Sequence, residues 1–168
     1  PIKDEWLDEL RSTGGRVVSY LPQNAYVIQV NAKAAAGIQA FREKDFVQFV
    51  GDYEPAFRLS PSLQAFRNLN FKTDIDITVQ VIDGRDSETT IRNLKEMSTE
   101  FVSVNQVLNY HNVALRVNGS ALGDIATMDN VFAVEERTER RKLDEAQGQI
   151  LAGNLTGNIP SGPGYLSW

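Results

Sequence analysis

One supersecondary pattern occurs twice in this chain, and any fold must accommodate both copies. Tyr26 to Val50 (YVIQVNAKAAAGIQAFREKDFVQFV) and Val113 to Val134 (VALRVNGSALGDIATMDNVFAV) each read as an apolar-alternating strand, an Asn, a helix and a further apolar strand. Val30 and Val117 are 87 positions apart, as are Ile38 and Ile125, and two residues are lost before the last strand. Register kept through a strand and a helix marks duplication of a folding unit.

The sequence around the second copy completes a unit. Asp74 to Val81 predicts a strand, with Ile75, Ile77, Val79 and Val81 alternating with polar residues. Asp83-Gly84 is a turn, and Asp86 or Ser87 caps a helix carrying Ile91, Leu94 and Met97. Strands at Phe101 to Leu108 and Val113 to Val117 follow, separated by a turn over Asn109 to Asn112. A helix from Ser120 to Met128 and a strand at Val131 to Val134 close the unit. The order is β-α-β-β-α-β, the split β-α-β or ferredoxin-like arrangement.

The first copy gives the same order without its opening strand. Asp4 to Thr13 predicts a helix with Trp6, Leu7 and Leu10 on one face, stopped by Gly14-Gly15. Strands are expected at Arg16 to Leu21 and Tyr26 to Val30, a helix capped by Asn31 from Ala32 to about Glu43, and a strand at Phe46 to Val50. The first strand of a ferredoxin-like sheet is interior. Its absence leaves unpaired backbone groups, unless it lies upstream of Pro1 or another segment fills the place.

The expected architecture is therefore α+β: two tandem ferredoxin-like units, the first lacking its N-terminal strand, followed by an extended C-terminal tail. The boundaries read as 1–60 for the incomplete unit, 61–72 for a linker, 73–144 for the complete unit and 145–168 for the tail. Gly51 to Asn70 contains prolines and has no regular pattern, yet it is too apolar to hang free, and Leu63, Phe66 and Leu69 suit a short helical turn. Asp144 to Ala152 suits a short helix. Gly153 to Trp168 has four Gly, two Pro and no charge, the composition of a segment that lies extended on something else.

Composition narrows the classes of function. The 42% apolar and 23% charged content is that of a globular protein. A net charge of −5 argues against a nucleic-acid footprint, which needs a basic face. The one basic cluster, Arg137 to Lys142, is interrupted by Glu139 and reads as a solvated strand end. No apolar run approaches the roughly 20 residues of a membrane span. The chain opens at Pro1 without Met or signal segment, the pattern of a processed or excised piece. The absence of Cys excludes disulfides and thiolate chemistry, and no cofactor or metal is expected.

Individual residues offer little chemistry. His111, the only His, falls in a turn between strands, with no second ligand or proton partner at a recognisable spacing. Asp74 and Asp76 share the polar side of one strand, which a solvated sheet face explains without metal. Asp83-Gly84-Arg85-Asp86 lacks the later ligands of a Ca²⁺ loop and reads as turn plus helix cap. Asn118-Gly119-Ser120 and Asn154-Leu155-Thr156 match the glycosylation sequon, the first also suiting a helix N-cap. No phosphate loop and no Gly-x-Ser-x-Gly elbow occurs, so catalytic residues are absent from this chain. Tyr165-Leu166-Ser167-Trp168 reads either as a chain end without structure of its own or as a peptide that lies in a groove by strand addition.

Trp6 to Leu10 (WLDEL), Gly14 to Pro22 (GGRVVSYLP), Asn24 to Ile28 (NAYVI), Phe49 to Pro61 (FVGDYEPAFRLSP) and Gly148 to Asn158 (GQILAGNLTGN) carry a resemblance. Together they resemble the N-terminal pro-region of secreted bacterial subtilisin-like (S8) serine peptidases, over nearly the whole chain. The resemblance implies an inhibitor and intramolecular chaperone of a subtilisin-like catalytic domain, acting in cis or in trans from an extracellular protein. The sheet would pack on the enzyme, and the tail would lie product-like in its cleft. Trp168 would then precede the processed bond, with Tyr165, Leu166 and Ser167 in the positions before it. Two features depart from a single-domain pro-region: the unit is doubled, and its first copy lacks a strand. Two rivals remain, a tandem ACT-like small-ligand sensor and an acylphosphatase-like enzyme. The second would need an anion loop, and Arg85 sits crowded there by carboxylates.

Overall fold

In a computed structural model the described residues are 2–67, 72–138, 155–156 and 159–160. They fall into two compact units, Pro1–Arg137 and Thr138–Trp168. The first is α+β and holds a two-stranded and a four-stranded sheet with six helices. In the second, β7 (Leu155–Thr156) pairs antiparallel with β8 (Ile159–Pro160). The expected helix at Asp144 to Ala152 and the residues Tyr165, Leu166, Ser167 and Trp168 lie outside the described residues.

The N-terminal elements begin with α1 (Asp4–Ser12), which carries Asp4 and Glu5 in its first turn and Arg11 in its last, both favourable to the helix dipole. Gly14 ends it at φ 89°, a left-handed conformation that suits glycine. β1 (Arg16–Leu21) and β2 (Ala25–Gln29) form an antiparallel hairpin. Gln23 and Asn24 turn it at φ 68° and 62°. Asn31 caps α2 (Ala32–Ala40), its Oδ1 accepting from the Ala34 amide at 2.9 Å, as its spacing predicts. The helix tightens into a 3-10 turn at Phe41–Glu43.

Phe46 to Val50, expected as a strand, is a turn followed by irregular backbone. The reason lies in the second copy, where the closing strand pairs with the opening strand. Among the described residues, the 46–50 segment has no such strand to pair with. Phe46 instead stacks on Trp6, centroids 4.4 Å apart and planes 2° from parallel, and meets Phe41 edge-on at 6.4 Å.

α3 (Pro55–Arg58) and α4 (Pro61–Arg67) occupy the proline-containing stretch Gly51 to Asn70, α4 falling in the part expected as linker. Leu59 bridges Val134 in parallel, and the Ser60 amide donates to the Val134 carbonyl at 2.9 Å. Leu59 and Leu63 are buried in the main core. The segment thus packs, as its apolar content predicts, and covers the edge of the sheet.

That sheet consists of β3 (Asp74–Ile82), β4 (Glu100–Val107), β5 (Tyr110–Asn118) and β6 (Val131–Glu136) in the order β4-β5-β3-β6, all antiparallel. α5 (Ser87–Met97) and α6 (Leu122–Thr127) complete the β-α-β-β-α-β order of residues 74–136. The period-2 pattern sets the layers: Ile77, Val79, Val81, Val113, Leu115, Val117, Val131 and Val134 are buried together with Leu94, Leu122 and Ile125 from the helical side. β5 begins at Tyr110, three residues earlier than expected, because a two-residue turn at Leu108 and Asn109 suffices.

Candidate functional site

Strand alternation buries one face of the sheet and leaves the other only half-buried among the described residues. Its residues form rows across the strands, because partners opposite one another point the same way. One row runs Glu135, Thr78, Ala114, Ser103. The next runs Ala133, Gln80, Asn112, Asn105. Thr78, Gln80, Asn112 and Ala114 are all half-buried. The side chains are short at Thr78, Ala114 and Ser103, and this stretch of the face is bounded at both ends.

At one end, Arg116 joins two carboxylates. It donates from Nε to Asp76 Oδ1 at 3.1 Å and from Nη2 to Oδ2 at 3.0 Å, and its Nη1 lies 3.2 Å from Glu100 Oε2. Arg137 approaches Asp76 at 3.6 Å. Hydrogen bonding from Arg116 holds the Asp76 carboxyl below the usual carboxylate range. Asp74 accepts from Thr99 Oγ1 at 3.1 Å. The paired carboxylates are thus engaged by cations and a hydroxyl, and no metal-binding group of three occurs among the described residues.

At the other end, Tyr110, Phe132 and Tyr53 form an aromatic cluster, with centroids 5.3 Å and 5.8 Å from Phe132. The β1-β2 hairpin meets this end through three polar contacts. Tyr110 Oη donates to the Val18 carbonyl at 2.8 Å, Arg16 Nη1 to the Asp83 carbonyl at 2.5 Å, and Gln29 Nε2 to Asn130 Oδ1 at 3.0 Å. A cleft of about 80 Å³ lies at this junction, lined by Val18, Ile28, Tyr53, Arg58 and Phe132 among others. Burial raises the Tyr53 phenol above its ordinary value, against the nearby Arg58 charge.

His111 is not the isolated turn residue that its neighbours in sequence suggest. It lies within β5, and its Nε2 is 3.0 Å from Asp83 Oδ1. The Asp83 amide also donates to the Asn109 carbonyl at 2.8 Å, so Asp83 ties the start of the α5 connection to the β4-β5 turn and to the hairpin. The pair is a partnership across 28 positions that no local motif signals. Ser87 Oγ closes the same turn on the Gly84 carbonyl at 2.8 Å, whereas Asp86 makes no side-chain cap bond. Asn118 Oδ1 accepts from the Ser120 amide and hydroxyl, the N-cap role expected of the first sequon.

A family model described as a domain of unknown function (DUF8729) matches residues 1–54. The match spans α1, the hairpin, α2 and the irregular segment after it, and stops before α3. No curated protein and no solved structure matches the chain.

Proposed function

We propose that this chain acts as the pro-region of a subtilisin-like serine peptidase, a folding aid and inhibitor built from a complete ferredoxin-like unit preceded by an incomplete one. The observation that carries the reading is the half-buried sheet face, where Thr78, Ala114 and Ser103 form a row of side chains short enough for a partner surface to approach the sheet backbone closely. The sequence resemblance supplies the partner, and the absence of catalytic motifs agrees with a role outside the chemistry. Tyr165 and Trp168 supply the large apolar side chains for a product-like segment in the cleft of the peptidase.

The ACT-like alternative calls for a ligand pocket between units. The cleft of about 80 Å³ at the hairpin junction is well below the roughly 300–1,000 Å³ of ordinary small-molecule sites, and it favours no such reading.

The test is inhibition of the cognate peptidase by the full chain. Tight, slow-onset inhibition is expected, weakened by truncation after Gly153. A chain that leaves the cognate peptidase fully active removes the proposal, and undiminished inhibition after truncation removes the role of the tail.

A further inference from the structure

We draw no further inference here: the strongest candidate, the outer edge of β4 with Val102, Val104 and Val107 exposed along it, carries none, because nothing in the structure shows what covers it.

Discussion

Arg116 grips Asp76 across neighbouring strands with two parallel hydrogen bonds, from Nε at 3.1 Å and Nη2 at 3.0 Å. Such a fork holds the carboxylate in its charged form, and Arg137 adds to the effect. A depressed carboxyl stabilises the fold above its unfolded value, near 3.9, and loses that contribution as the pH falls through its lower folded value. Solvent screens the pair, so Asp76→Asn should cost no more than about 1 kcal/mol at neutral pH. Urea denaturation at pH 7 and again near pH 2 checks this. The difference between the two proteins should shrink at the acid end, and a constant difference would mean that the charge contributes nothing.

Leu63 tests whether the proline-containing segment belongs to the core. It is 0% exposed and packs in the cluster that contains Leu59, Val134 and Ile125. Leu63→Ala removes buried methyl groups and leaves a cavity, at a cost of about 2–5 kcal/mol. A linker residue would cost next to nothing. Chemical denaturation therefore distinguishes a structural α4 from a tether.

These two cases mark how far the sequence was legible. The alternation of Ile75, Ile77, Val79 and Val81 with polar neighbours announced β3, and Asn31 announced the start of α2, because each signal is local. Leu59 carried no period and Leu63 only the spacing of a short turn with Phe66 and Leu69, since neither forms a face of a long element. The His111 and Asp83 pair was invisible because it joins residues far apart in the chain. Phe46 to Val50 shows the opposite failure. Its composition suits a strand, but a strand needs a neighbour, and that requirement is not written in the segment itself. The open face was half legible: alternation set polar Asp76 and Thr78 on the side away from Ile77 and Val79, while the alignment of Thr78 into one row with Ala114 and Ser103 depended on register.

Leu108 holds a left-handed conformation at φ 54° with its side chain 87% exposed, as the first residue of the turn between β4 and β5. A side chain there crowds the backbone, and a turn of this kind prefers glycine at its first position. Leu108→Gly should stabilise the protein by about 1 kcal/mol after the entropic cost of glycine in the unfolded chain is counted. Leu108→Ala keeps the crowding and should change little. A lower midpoint for Leu108→Gly would show that the leucine makes contacts worth more than its strain.

Tyr53 predicts behaviour at the alkaline end. Burial keeps its phenol neutral above the ordinary value of 10.0, so the unfolded chain ionises first. The sign follows: this contribution is fully present below about pH 10 and is lost as the pH rises through the folded value. Phenolate absorbance should show one tyrosine titrating late in the native protein, and Tyr53→Phe should remove that step and flatten the loss of stability in base.

The last prediction concerns the open face. Ala114 sits half-buried between Thr78 and Ser103, on the side of the sheet away from the core, so a larger side chain can rise outward without displacing the core beneath. Ala114→Arg should leave folding stability within about 0.5 kcal/mol, as most substitutions outside the core do. On the peptidase reading the same change places a bulky charge where two surfaces must meet, and inhibition of the cognate enzyme should fall by a hundredfold or more, about 3 kcal/mol. Arg116→Ala at the end of the same face should have a smaller effect, because solvent already surrounds that side chain. Measured inhibition constants decide the matter. Equal inhibition by Ala114→Arg and the parent chain would place the contact elsewhere, whereas a loss confined to Ala114→Arg, with unchanged denaturation, would locate it on the row formed by Thr78, Ala114 and Ser103.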